Sequence, residues 1–162
     1  MRREQLSARP GWREIVINQG LSFPDTPRPD GSVTPYWMDD VAYEFTIEQI
    51  EQLEAVTAQL WDMSLKTVEH VLRQGNLADF GLPASALDYL RWSWDTQQPT
   101  VYGRFDVAWD GIGQPKLLEF NADTPTGLIE SSVCQWFWLN DQKPGHDQFN
   151  SLHERLVEVW RR

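Results

Sequence analysis

The chain has 162 residues, a formal net charge of −10 and a single cysteine. Fourteen Lys and Arg against 24 Asp and Glu exclude a nucleic-acid partner, whose phosphate backbone calls for clustered basic residues. One cysteine makes no internal disulfide, and no apolar run approaches the roughly 18 residues that would span a membrane. With 41% hydrophobic and 23% charged residues the chain should bury a core, as one domain or part of a larger one.

The opening "MRREQLSARPGW" carries charges with no apolar run behind them, so the sequence predicts no secretory leader and a cytoplasmic location. "WREIVINQGL" is a short helix or strand ending at Gly20. "FPDTPRPDGSVTP", with four prolines and a glycine, is an ordered loop. "YWMDDVAYEF" holds a short extended piece with an acidic turn.

From Thr46 the pattern is clearer. Thr46 and Gln49 have capping-box spacing. Ile47, Ile50, Leu53, Leu60, Met63, Val68, Val71 and Leu72 recur at helical spacing, and Gly75 closes a helix of about eight turns. Its charges form a solvated face, and His70 near its end is structural. "LPASALDYLRWSW" is a second helix, with Pro83 near its start. The period then changes from 3.6 to 2. "VYGRFDVAW" and "KLLEFNA" flank the turn "DGIGQP" and form a β-hairpin. "TPTGLIESSVCQWFWLND" is a helix capped by Thr124 or Thr126, with Cys134 a buried structural thiol. "DQFNSLHERLVEVWRR" is a last helix with Phe149, Leu152, Leu156 and Val159 on one face. The nine tryptophans predict a Trp-rich core. The fold class is α+β: a helical region over 46–94, then a hairpin and helix over 100–140 that carry the candidate site.

Alternation puts Phe105, Val107 and Trp109 on one face of the hairpin, with Leu118 and Phe120. Arg104, Asp106, Glu119 and Asn121 share the other. Centring the turn on Ile112 and Gly113 sets Asp106 opposite Glu119 and Arg104 opposite Asn121, with facing Cβ atoms about 4.5–5.5 Å apart. Two carboxylates that close repel one another. Arg104 bridging both, a substrate ammonium, or a hard cation such as Mg²⁺ would each offset the repulsion. The adjoining "NADTPTGLIE" runs from strand into helix N-terminus, where free N–H groups favour an anion. A cation site beside an anion site suits an enzyme that activates a carboxylate with ATP.

"YGRFDVAWDGIGQPKLLEFNADTPTGLIESSVCQWFWL" resembles the glutathionylspermidine synthase family of ATP-grasp-type ligases. The shared pattern is R-x-D, a hairpin, E-[FY]-N-A-D-[ST], then a Thr/Ser-containing helix start and a glutamate. It runs from "YWMDDVAYEFT" to "DQFNSLHERL" and looks closest to the single-domain members without the amidase. The resemblance implies ATP-dependent acyl-phosphate formation on a peptide carboxylate such as that of glutathione, followed by attack of a polyamine such as spermidine. It implies Asp106, Glu119 and Asn121 as Mg²⁺ ligands and Arg104 as the catalytic arginine on the transferring phosphoryl group. Thr124, Thr126 and Gly127 would lie around the peptide substrate, with Glu130 in the same pocket. The turn is one residue longer than in the bifunctional members. No glycine-rich nucleotide loop and no Walker-type G-x-x-x-x-G-K-[ST] is present. The expectation is therefore the N-terminal portion of a longer ligase, ending inside a helix, inactive alone and lacking the ATP-binding portion. Sheet edges and aromatic faces left open favour a homodimer. Rival readings are a ligase on this scaffold with another amine or peptide, a non-catalytic peptide- or polyamine-binding module, and a helix-rich interaction domain in which Arg104 bridges Asp106 and Glu119.

Overall fold

A computed structural model describes residues 1–74, 77–123 and 125–161. The architecture is α+β, with helices and, among the described residues, three two-stranded sheets, in two compact units: residues 1–50 with 121–162, and residues 51–120.

In the first unit, β1 (Arg2–Gln5) pairs antiparallel with β4 (Val41–Glu44), Arg2 facing Glu44 and Gln5 facing Val41. "RREQ" has no apolar alternation; its strand form comes from pairing alone. Lys143 is tied to Glu4 and Glu44, and Arg2 Nη2 reaches Glu44 at 2.5 Å. Hydrogen bonds from Lys143 and then Arg2 pull the Glu44 carboxyl from 4.5 down to about 2. A depressed folded value stabilises above the unfolded one and loses that contribution as pH falls through the folded one. Lowering the pH from 4.5 towards 2 should therefore lower the melting temperature, and Lys143→Met should flatten that slope.

The proline-rich stretch expected as a loop is a small ribbon, β2 (Asp25–Pro27) against β3 (Val33–Pro35). Its turn is set by Asp30 Oδ1, which accepts from Ser32 N and Oγ. "WREIVIN" resolves as a helix, α1 (Trp12–Asn18). It ends in a Schellman motif: Leu21 N donates to Val16 O at 3.0 Å and Gly20 N to Ile17 O at 3.0 Å. Gly20 supplies φ +109°, which an L side chain adopts only with strain. The motif brings Val16 and Leu21 together, and with Cys134 they form the buried cluster, flanked by Trp12 and Trp37.

The expected Trp-rich core is not what forms. Trp138 alone of the nine is buried, while Trp92, Trp136 and Trp160 are at least 44% exposed. Small aliphatic side chains and one thiol fill the centre, and the indoles sit around them or outside.

α2 (Ile47–Gln74) opens with the anticipated capping box: Thr46 N donates to Gln49 Oε1 at 3.1 Å and Gln49 N to Thr46 Oγ1 at 3.4 Å. The closing Gly75 lies outside the described residues. In the second unit a 3-10 turn (Leu77–Phe80) leads to α3 (Ala84–Asp95). Leu77 is the one buried apolar residue described there. Trp61, Leu65, Val68, Leu72, Leu90 and Trp94 line a groove of about 1060 Å³ between α2 and α3.

α3 ends in the same motif as α1, with Gln98 N on Ser93 O at 3.0 Å and Gln97 N on Trp94 O at 3.1 Å. Here the left-handed position is Gln97, at φ +50°. A side chain there costs about 1 kcal/mol or more. Gln97→Gly should therefore stabilise the chain by about 1 kcal/mol, read as a rise in the urea midpoint.

Candidate functional site

The site is built on β5 (Arg104–Ala108) and β6 (Lys116–Asn121), which pair across a tight turn. Asp110 Oδ1 shapes the turn by accepting from Ile112 N at 2.9 Å and Gly113 N at 3.0 Å. Gly113 O in turn receives Trp109 Nε1 at 2.6 Å and Gln52 Nε2 at 3.0 Å, fixing the turn to α2. The apolar face follows the alternation. Phe105 stacks on Phe120 with centroids 4.2 Å apart, and Trp61 of α2 meets Phe120 edge-on at 6.2 Å. Leu118, assigned to this face by period, is 68% exposed, so packing covers only one end of β6.

Across the strands from these rings, Arg104 Nε donates to Asp106 Oδ1 at 2.7 Å and Nη2 to Oδ2 at 3.2 Å. This fork-to-fork bond holds the Asp106 carboxyl below its ordinary range against partial burial. The Glu119 carboxyl stands within reach of it on the neighbouring strand. Asp106 raises the Arg104 guanidinium in return, helped by the charge of Glu119. Arg104, Asp106 and Glu119 therefore lie close together. Asn121 ends β6 and belongs to the other unit, as do Thr126, Gly127 and Glu130. Thr124 lies outside the described residues.

Among the described residues no three His, Cys, Asp or Glu side chains converge as a metal cage. Two carboxylates side by side still fit Mg²⁺, which binds through one or two carboxylates and takes its remaining oxygens from phosphate and water. Arg104 takes one lone pair on each Asp106 oxygen, which leaves the others for a cation.

The helix after β6 opens differently from the expectation. The helix begins at Leu128 with Gly127, at φ +96°, in the capping position, and the Gly127 carbonyl receives Ser131 N at 3.1 Å. That backbone angle selects glycine over threonine. The helix over 128–142 contains a π-helical turn, Glu130–Cys134, in which Gln135 N reaches Glu130 O. Ser131 Oγ bonds to Gly127 O at 2.5 Å and Ser132 Oγ to Leu128 O, and such back-bonding distorts a helix locally. π turns are frequent at functional sites. The helix continues as α4 (Gln135–Gln142), and α5 (Leu152–Trp160) follows.

Cys134 is fully buried, and burial, then the charge of Glu130 one turn away, pushes its thiol up; this is a structural thiol, as expected. His70 is exposed on α2.

Two features had no signal in the sequence. Tyr36 Oη donates to Glu130 Oε1 at 2.7 Å across 94 residues of chain. Arg9 and Asp39, both buried, form an ion pair at 2.7 Å that also takes in Asp141 at 2.8 Å.

The family profile described as glutathionylspermidine synthase preATP-grasp matches residues 3–162. A Haemophilus influenzae protein named "Putative acid--amine ligase" is 39% identical over 153 residues, which are 93% of this chain and 38% of that protein. Trypanothione synthetase of Crithidia fasciculata is 33% identical over 86 residues, 52% of this chain and 13% of that enzyme. The chain thus spans well under half the length of these relatives. No described helix is long and apolar enough to cross a membrane.

Proposed function

The chain belongs to the glutathionylspermidine synthase family, and from that premise we propose that it serves an ATP-dependent carboxylate–amine ligase as its N-terminal, pre-ATP-grasp portion. A peptide carboxylate, such as the glycine end of glutathione, attacks the γ-phosphorus of ATP and leaves as an acyl phosphate with release of ADP. A polyamine nitrogen then attacks the acyl carbon, forming the amide, expelling phosphate and losing a proton to solvent. The relative named trypanothione synthetase supports a peptide and polyamine pair of this kind. Two ligands follow from the chemistry: ATP as co-substrate, and Mg²⁺ as the ion that neutralises the phosphate oxygens.

In this reading Asp106, Glu119 and Asn121 hold Mg²⁺ through oxygen. Arg104 contacts the transferring phosphoryl group, stabilising charge where it develops. Thr124, Thr126, Gly127 and Glu130 hold the peptide substrate. The single observation that carries the reading is the meeting of Arg104, Asp106 and Glu119 on one face of the hairpin. Arg104, paired with Asp106 in the structure, would exchange that carboxylate for the transferring phosphoryl group. The small-molecule chemistry fits a cytoplasmic enzyme, and the exposed α2–α3 face would suit a homodimer.

The test is ADP release by the complete gene product, with ATP, Mg²⁺, glutathione and spermidine each omitted in turn. ADP formed only when all four are present supports the reading; a screen of other amines and peptides locates the substrates if this pair is inert. ADP release indifferent to every amine and peptide would sink it. The 162-residue chain alone should release none.

A further inference from the structure

Glu130 is half-buried, and among the described residues no Lys, Arg or His forms an ion pair with it. Arg9, whose charge reaches the neighbouring Cys134, is committed to Asp39 and Asp141. The partner that Glu130 does have, the Tyr36 hydroxyl, orients the carboxylate without neutralising it. Tyr36 is itself bracketed by Phe23, with ring centroids 5.2 Å apart and planes at 55°. Both rings are open to solvent, 45% and 55% exposed.

The bracket is built, not incidental. Tyr36 N and Trp37 N both donate to Pro24 O, at 2.8 and 3.1 Å, which pins Tyr36 beside the Phe23–Pro24 turn. Gly20, at the end of α1, lies beside the helix start, where a Cβ would stand 3.7 Å from Ile129 Cδ1 in ordinary contact. An anion would be repelled by the carboxylate. A neutral apolar group would leave the carboxylate's charge unused. An alkylammonium satisfies both parts, since carboxylate and aromatic faces each attract a cation.

We propose that Glu130, Tyr36 and Phe23 form a recognition site for the primary ammonium of an amine-bearing substrate. This rests on the ligase reading above and sharpens the role of Glu130 within it. Two sources share that chemistry: the end of a free polyamine, and the α-ammonium of the peptide. Tyr36 is a positioning residue that holds the carboxylate towards the amine.

Calorimetric titration of the chain with spermidine and, separately, with glutathione tests the proposal and tells the two sources apart. Glu130→Gln keeps an acceptor for the Tyr36 hydroxyl but removes the charge, so the melting temperature should hold. Affinity for the recognised probe should fall about tenfold or more. Tyr36→Phe and Phe23→Leu should each weaken it a few-fold. Asp88→Asn, an equal loss of charge at an exposed carboxylate on α3, should change nothing. A loss confined to spermidine assigns the site to the polyamine, and one confined to glutathione assigns it to the peptide. Wild-type affinity in Glu130→Gln, or no binding of either probe to the wild-type chain, overturns the proposal. Its failure is separable from that of the ligase reading, which is read by ADP release and by the hairpin carboxylates.

Discussion

Arg9→Met should cost the chain about 3–5 kcal/mol at neutral pH, because it strands a buried charge. The Asp39 side chain has no exposed surface, and Arg9 embraces it with Nε and Nη2 at 3.1 and 2.7 Å from Oδ1. The main-chain N–H of Arg9 adds a bond to Oδ2 at 2.7 Å, and Trp37 Nε1 one to Oδ1 at 3.0 Å. Trp138 Nε1 holds the Asp39 carbonyl at 2.7 Å, so the N-terminal loop, the 37–40 turn and α4 converge on this residue. Burial alone would raise the Asp39 carboxyl. The hydrogen bonds from Arg9 and Trp37 outweigh it and hold the group below 3.8.

The sign of the pH dependence follows. In the wild type Asp39 stabilises above its unfolded value and loses that contribution as pH falls through the lower folded one. In Arg9→Met burial prevails and the carboxyl rises, so acid protonates it and relieves the defect. The stability gap between the two proteins should therefore shrink as pH is lowered from 7 towards 4, in chemical unfolding curves. Asp39→Asn in the Arg9→Met background should recover part of the loss at neutral pH. A cost below about 1 kcal/mol would mean that water reaches the carboxylate and that the pair behaves like a surface one.

This pair shows what the sequence concealed. Its partners are 30 residues apart and lie in stretches with no periodicity, so nothing local marks either as buried. β1 is concealed for a related reason: four polar residues become a strand because Val41–Glu44 offers them a ladder. α2 was legible because its signals are local. Thr46 and Gln49 cap each other, and the apolar spacing repeats for almost eight turns. The hairpin was legible through the change of period and the Asp-Gly turn, and alternation alone put Asp106 and Glu119 on one face. The opening of the helix after β6 was misplaced because threonine is a common cap, whereas the left-handed backbone at Gly127 is a tertiary feature. The tryptophans misled because their area favours burial, while much of it here lies on the faces of α3, α4 and α5, outside the small cluster of Val16, Leu21 and Cys134.

The hairpin makes the other large prediction. Asp106→Asn in the complete gene product should lower kcat/KM for ADP release on the order of 10²–10³-fold, the usual effect of removing one group aimed at transition-state charge. The same substitution should leave the melting temperature nearly unchanged. Arg104 and Asp106 have side chains 35% and 36% exposed, and pairs so open to water contribute little to folding. The contrast separates catalysis from architecture. If Arg104 served only to bridge the two carboxylates, Asp106→Asn would act as a lost surface pair, with activity and Mg²⁺ dependence intact. If Asp106 holds Mg²⁺, the variant should also need a higher Mg²⁺ concentration for half-maximal rate, and Glu119→Gln should shift that midpoint in the same direction. Arg104→Lys distinguishes the remaining role. It keeps the charge but not the fork, so it should lower kcat while the Mg²⁺ midpoint stays near the wild-type value. A midpoint that moves with Arg104→Lys but not with Asp106→Asn would reverse the assignment of the two residues.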